Sequence, residues 1–302
     1  MPRLAPHLSH HLFADDSLLF SRASTHEGNQ FLKILASYQQ ASDQVVNLHK
    51  TEASFSRNVP NEDKHMICNM MGVKVVEAQS RYLGFAIPFK RSKKVVFSFV
   101  MDRIWKKVKG WKERFLTNAR NETLIKAVAQ AIPNYILSCY KMFVGCCRDI
   151  DMILARFWWG SNDEKRKMHL ISWDKLSKSK NKGGMGFRGM GEFNNSLLGK
   201  HCWCLTTWKS SLLEKVLKEC YYLNEEFLSA KEGYQPSYAW RSILSARDLV
   251  ERGGLLRVGD DKKIRFAKDN WVPRMKVINH IRPNCVLEND GLVLELIDAD
   301  TK

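Results

Sequence analysis

The chain has 302 residues, a formal net charge of +16 at pH 7 and a hydrophobic share of 44%, which is enough for buried cores. No uninterrupted apolar stretch approaches the roughly 20 residues that span a bilayer, and no secretory signal opens the chain, so we expect an intracellular protein of nucleus or cytoplasm. A protein with so large an excess of positively charged side chains most often binds the phosphates of a partner. The expected partners are therefore RNA and DNA rather than a membrane.

The eight cysteines show no Cys-x-x-Cys spacing and lie mostly in apolar helical stretches, which is typical of reduced core cysteines. His201, Cys202 and Cys204 are close in sequence. Adjacent residues of one helix point about 100° apart, so a packed helix face is favoured over a tetrahedral zinc site.

Two adjacent carboxylates, Asp15 and Asp16, interrupt the apolar run "HLFADDSLLF" at residues 11–20, which predicts a strand, a turn and a second strand. Aspartates are good turn formers, so the pair has a purely structural explanation. The alternative is a functional explanation. Two carboxylates that project from a rigid turn can hold Mg²⁺, which takes one or two protein carboxylates together with substrate phosphates.

The rest of the first 90 residues predicts a mixture of helices and short strands. Ser24 and Glu27 have capping-box spacing ahead of an amphipathic helix over 25–42. The further predicted elements are extended segments at 45–48, 53–55, 73–76 and 82–89 and a helix between Pro60 and Gly72.

From Ser92 onward the pattern becomes helical. On a 3.6-residue wheel the apolar positions of the first long helix share one side, namely Val96, Val100, Ile104, Val108, Trp111 and Phe115. Lysines lie broadly opposite, namely Lys94, Lys106, Lys109 and Lys112. One face therefore packs and the other is basic. These lysines either solvate the helix or bind a nucleic-acid backbone.

Further helices follow. We expect one with Asn121 as its N-cap that Pro133 interrupts, and one over 150–159 that ends at Gly160. The later predicted elements are a short strand at 169–173, helices over 192–208, 212–222 and 237–251, and a β-hairpin around Val258 and 264–266.

A segment rich in lysine and glycine lies between about 161 and 190, within "DKLSKSKNKGGMGFRGMG". Its composition is typical of a solvated, mobile linker. The alternative is contact with phosphate, because glycine lets the backbone approach a ligand and lysine supplies charge. Its glycine spacing lacks the strand and helix of a dinucleotide-binding turn.

The segment "SHHLFADDSLLFSRAS" resembles the third conserved motif of the reverse transcriptases of plant LINE-type non-LTR retrotransposons. The resemblance covers residues 3 to 275. The segments "SYQQASDQVVNLHKTEASFS" and "YLGFAIPFKRSKK" resemble the lysine motif and the primer grip. The chain resembles the thumb of these polymerases in "WKKVKGWKERFLTNARNETLIKAVAQAIPNYILSCYKM". It resembles the connecting region that follows the thumb in "RFWWGSNDEKRKMHLISWDKLSKSKNKGGMGFRGMGEFNNSLLGKHCW" and "RVGDDKKIRFAKDNW".

This resemblance implies an α+β fold with a partial palm at 1–90, a helical thumb at 91–160 and a connector region at 161–302. It implies that Asp15 and Asp16 are the metal-binding pair for Mg²⁺ and that Lys50 lies near the incoming nucleotide. It also implies that Tyr82, Leu83 and Gly84 contact the primer, and that the basic thumb face contacts an RNA–DNA hybrid or primer-template.

Two-metal phosphoryl transfer needs a third carboxylate, which the family supplies upstream of the hairpin, and no acidic residue precedes Asp15 here. We therefore expect a truncated RNA-directed DNA polymerase homologue that is inactive by itself. Two alternatives stay open at this stage: a non-catalytic basic protein that binds nucleic acid, and an inert relic of a transposable element.

Overall fold

A computed structural model of the chain describes residues 8–56, 58–75, 81–82, 85–86, 93–112, 117–160, 167–208, 210–255, 264, 270–271 and 291–293. At 81–82, 85–86, 93–96 and 112 it describes the backbone alone. The fold is mixed α+β, as the sequence predicts, with a β-hairpin first and mainly helices from Lys93 onward. The chain divides into two compact units, and the division falls between Asp102 and Arg103.

The predicted hairpin is confirmed. Strand β1 (His10–Phe13) pairs antiparallel with strand β2 (Asp16–Leu19), and Phe13 lies opposite Asp16. The turn therefore consists of Ala14 and Asp15 alone. Ala14 has a φ of 47°, a left-handed conformation that costs an L-residue about 1 kcal/mol but suits the twist of a two-residue hairpin turn.

Helix α1 (Thr25–Ser42) begins where the capping pattern predicts. The Ser24 hydroxyl accepts a hydrogen bond from Glu27 N at 3.2 Å. The Glu27 carboxylate accepts one from Arg22 N at 3.0 Å. The two bonds fix the chain between the hairpin and the helix.

Helix α2 (Asn61–Met71) ends at Gly72, whose φ of 67° gives the left-handed cap that the sequence predicts. Helices α1 and α2 pack together closely at Gly28. A Cβ atom at Gly28 would lie 2.4 Å from Met70 Cε, so the flexible end of the Met70 side chain fills the space beside Gly28.

Four very short strands lie among the described residues of the first unit. Strand β3 (Glu52–Ala53) pairs in parallel with β4 (Lys74–Val75), and β5 (Arg81–Tyr82) pairs antiparallel with β6 (Phe85–Ala86). The segment predicted as extended at 45–48 forms no strand, and its last residue lies in a turn. Residues 48–50 form a turn instead, because Asn47 accepts hydrogen bonds from Lys50 N through its backbone oxygen and its side-chain oxygen.

Helix α3 (Lys93–Lys112) confirms the predicted apolar stripe where its side chains are described, since Val100, Ile104 and Val108 are buried. The helices that follow are α4 (Asn118–Leu124), α5 (Asn134–Cys139), α6 (Val144–Trp158), α7 (Trp173–Leu176), α8 (Met190–Thr207), α9 (Leu212–Tyr221), α10 (Tyr238–Leu244) and α11 (Arg247–Gly253).

The N-cap predicted at Asn121 is wrong. Helix α4 begins earlier, because the Thr117 hydroxyl accepts a hydrogen bond from Arg120 N at 3.5 Å and Thr117 is itself a good cap. A π-helical turn at Ile125–Ala129 follows, and α5 begins directly after Pro133. The prediction that Pro133 interrupts the helix is confirmed.

Three other predictions need correction. Helix α6 begins at Val144 rather than at residue 150, although its end near Gly160, where φ is 64°, is as predicted. Residues 169–172 form no strand, and Trp173 begins a short helix. The single helix predicted over 237–251 is two helices, α10 and α11. The hairpin predicted around Val258 lies outside the described residues except for Ile264.

Helix α8 lies at the centre of the second unit, where it packs against α5, α6, α10 and α11. The ring of Trp240 is fully buried and stacks on Tyr221 and Tyr222, with ring centroids 4.8 and 5.6 Å apart. The core around it consists of Leu198, Cys202, Leu205, Leu217, Tyr222, Phe227, Ala230, Trp240, Ile243 and Ala246. This core gives the later helices their support.

A carboxylate on α6 fixes the start of α8. Asp151 Oδ1 accepts hydrogen bonds from Trp173 Nε1 at 3.2 Å and from Met190 N at 3.3 Å. Burial raises the pKa of Asp151 to about 6, although both hydrogen bonds favour its charged form, and the charges of Glu192 and Asp174 add to the rise.

In the described part of the chain, no helix has both the length and the apolar character needed to cross a membrane.

The raised pKa of Asp151 predicts a pH-dependent stability. Because the folded state binds this proton more tightly than an unfolded aspartate of pKa 3.8, folding loses free energy as the pH rises from about 4 to about 6. Asp151→Asn keeps the Oδ1 acceptor without the charge. We expect it to flatten this fall by about 1–3 kcal/mol, measured by denaturant titrations across this pH range.

Asp248→Asn is the matched control, because Asp248 is exposed in the same unit. An identical pH dependence in the Asp151→Asn variant and the unaltered chain would contradict the assignment.

Candidate functional site

The hairpin presents its two carboxylates to solvent. Asp15 lies in the turn and Asp16 begins β2, and both residues are exposed. Neither carboxylate takes part in an ion pair within the described residues. Large apolar side chains around them are exposed as well, including Leu12 at 63% and Phe13 at 55%.

The donor set of the hairpin fits a hard divalent cation in part. Carboxylate oxygens are the ligands that Mg²⁺ prefers, and one or two of them suffice when substrate phosphates complete the coordination. Across the residues that the structure describes, no group of three or more His, Cys, Asp or Glu side chains could hold a metal ion. Asp15 and Asp16 therefore offer two ligands without a third protein ligand in that part of the chain.

The other residues that the resemblance assigns to chemistry belong to the same unit. Lys50 is exposed in the turn over 48–50, and its side chain makes no ion pair with Asp15 or Asp16 among the described contacts. The backbone of Tyr82 lies in β5, opposite Phe85. Leu83 and Gly84, which connect β5 to β6, lie outside the described residues.

The basic face of α3 is visible at Lys106 and Lys109, which are both exposed. The Lys109 ammonium lies 5.0 Å from the ring centre of Trp105, whose side chain is 46% exposed. Lys94 and Lys112 are in the same helix, but their side chains lie outside the described part. The two described lysines are thus available to an anionic partner.

The cysteine-rich part of α8 serves packing. The Cys202 thiol is buried and donates a hydrogen bond to Ile243 O at 3.1 Å, and burial raises its pKa to about 12. A thiol held protonated in this way is a poor metal ligand. These contacts favour the packing interpretation of His201, Cys202 and Cys204 over a zinc site.

Sequence reasoning favoured a mobile linker for the lysine- and glycine-rich segment, and the structure shows an ordered loop. We call residues 174–188, which begin within α7, the basic loop. It contains a 3₁₀ turn at Lys180–Lys182, and Phe187 near its end is 2% exposed. Of the signals in the sequence, the apolar Phe187 within the glycine run was the one that could have indicated packing.

No protein-family model matches the chain. Over 202 residues it is 34% identical to a "Putative ribonuclease H protein" of Arabidopsis thaliana, and the match covers 64% of this chain and 32% of that protein. The chain thus spans about a third of that relative. Over 143 residues it is 36% identical to an "Uncharacterized mitochondrial protein" of the same plant, a match that covers 47% of this chain and 93% of that protein. Because nearly the whole length of this second relative is matched, the chain belongs to the family of that Arabidopsis mitochondrial protein.

Proposed function

We propose that the chain is part of a reverse transcriptase, an RNA-directed DNA polymerase, derived from a plant LINE-type retrotransposon. The observation that carries the proposal is the hairpin whose two-residue turn presents Asp15 and Asp16 to solvent. Resemblance to the polymerase motifs along the chain supports it. The similarity to a relative named for ribonuclease H, which is a nucleic-acid enzyme, is consistent with the same partner class.

The proposed roles follow from the chemistry of each side chain. Asp15 and Asp16 would hold Mg²⁺, which when bound neutralises charge on the phosphates of the substrate. Lys50 would donate a proton to the leaving pyrophosphate or place a positive charge beside it. The turn of Tyr82, Leu83 and Gly84 would hold the primer end in position.

We further propose that the 302-residue chain alone does not extend a primer. Positioning and charge neutralisation are the main terms in phosphoryl transfer, and both need a complete set of metal ligands. Two carboxylates with no third in the described residues leave that set incomplete.

A primer-extension assay tests this proposal. With Mg²⁺, an RNA template and a DNA primer, we expect the unaltered chain to give no more product than its Asp15→Asn variant. The substitution removes the charge and preserves the shape of the side chain. Product that forms with the unaltered chain and disappears in the variant would show a working metal centre and contradict the proposed inactivity.

A second candidate function is supported by the exposed lysines of α3. A chain without catalysis could still bind a nucleic-acid backbone through Lys106 and Lys109, together with Lys94 and Lys112 in the same helix. Such binding would be electrostatic and indifferent to base sequence.

Salt dependence measures this contact. Each lysine that neutralises a phosphate contributes about 0.9 to the slope of log affinity against log salt, so Lys106→Gln with Lys109→Gln should lower the slope by about 2. The control pair Lys215→Gln with Lys231→Gln removes the same charge from exposed positions of the same unit. Equal slopes in the two double variants would mean that the α3 lysines only solvate their helix.

A further inference from the structure

We propose that the basic loop is a second, separately built surface that binds the phosphates of a nucleic-acid duplex. The inference goes beyond the proposed function, because it involves neither the carboxylates of the hairpin nor the lysines of α3. It concerns a segment whose composition alone is typical of a linker.

Backbone hydrogen bonds within the loop hold it in one shape. Met185 N donates to Leu176 O at 2.8 Å, and Gly186 N donates to Lys178 O at the same distance. Gly184 N donates to Ser179 O at 3.2 Å. The first and last parts of the loop therefore lie side by side.

Glycine is required where these two parts meet. A Cβ atom at Gly184 would lie 2.0 Å from the backbone oxygen of Lys178, which is closer than any side chain can approach. Gly183 and Gly186 have φ values of 75° and 70°, in the region that favours glycine. These glycines thus allow the two parts of the loop to pack together, and they do not make the loop flexible.

Side chains from the helices anchor the ends of the loop. Phe187 stacks on Trp173 with ring centroids 4.9 Å apart and meets the edge of Trp158 at 5.2 Å. Gln130 Nε2 donates to Arg188 O at 2.9 Å, and Lys126 Nζ donates to Met185 O at 2.7 Å. The backbone that carries the lysine side chains of this loop is therefore held in place.

The outer face of the loop is basic. Lys175, Lys178 and Lys182 are exposed, and none has a carboxylate within 4 Å among the described residues. Lys180 contacts Glu122 at 3.2 Å but stays 68% exposed. Asp174 is the one acidic residue of the segment 174–188. An anion with several charges can neutralise several lysines that lie on one short, exposed segment.

The apolar side chains of the loop decide what kind of polyanion fits. Leu176 and Phe187 are buried and Met185 is half-buried, so the loop offers no apolar group for insertion into a lipid surface. The one aromatic residue in 174–188, Phe187, points inward and is not available to stack on unpaired bases. What remains is charge contact with phosphates, which suits a duplex backbone.

Fluorescence anisotropy with a labelled 20-base-pair duplex of mixed sequence tests the proposal. The triple variant Lys175→Gln, Lys178→Gln, Lys182→Gln should bind roughly tenfold or more weakly, with a salt slope lower by two to three units. The control triple Lys200→Gln, Lys215→Gln, Lys231→Gln removes the same charge from exposed positions elsewhere in the unit and should keep the original slope. Equal losses of duplex affinity in both triple variants would mean that only the net charge of the chain matters, and would overturn the proposal.

Gly184→Ala tests the shape of the loop with every lysine retained. We expect it to weaken duplex binding while circular dichroism shows the helices intact, because the new Cβ forces Lys178 and Gly184 apart. Unchanged binding would overturn the claim that the loop is preorganised. Vesicles containing phosphatidylserine provide the last comparison: loss of vesicle binding without loss of duplex binding in the loop triple would overturn the choice of nucleic acid.

Discussion

The buried side-chain amide of Asn194 ties the second unit together. Its Nδ2 donates to Leu137 O at 2.6 Å and to Tyr140 O at 3.0 Å, and its Oδ1 accepts from Met142 N at 2.9 Å. These bonds satisfy the backbone at the end of α5 from within α8, and a buried backbone group without a partner costs about 1–3 kcal/mol. Helix α8 is thereby fixed against its neighbours, and the basic loop, which leads into α8 at Met190, is fixed with it.

The hairpin of the first unit has a different kind of support. Nearly all of its side chains are exposed, and its shape depends on the pairing of β1 with β2 and on a strained turn at Ala14. A two-stranded hairpin with both faces exposed is marginal in water. The feature that suggests catalysis, Asp15 with Asp16, therefore has weak local support, whereas the basic surfaces of the second unit rest on a packed core. The surfaces that we propose for nucleic-acid binding are therefore better supported by the fold than the carboxylates that we propose for polymerase chemistry.

The sequence predicts those features whose causes are local. Ser24 begins α1 and Gly72 ends α2, because capping depends on a few neighbouring residues. The hairpin of β1 and β2 follows from two apolar runs around a turn. Two good caps four positions apart, Thr117 and Asn121, make the start of α4 ambiguous. The order of the basic loop depends on Gln130 and Lys126, which are 58 and 59 positions away from their partners, and no periodic pattern reports such contacts. For the same reason, the sequence names Lys50 without giving its distance from Asp15.

Hydrogen exchange of the backbone amides measures most directly the difference in support between the hairpin and the basic loop. The account predicts slow exchange along α8 and at the amides of Met185 and Gly186, and fast exchange across His10–Phe13 and Asp16–Leu19. Amides of the hairpin protected as strongly as those of α8 would contradict it. That result would mean that the carboxylate pair sits on a stable platform and that catalysis deserves the same weight as binding.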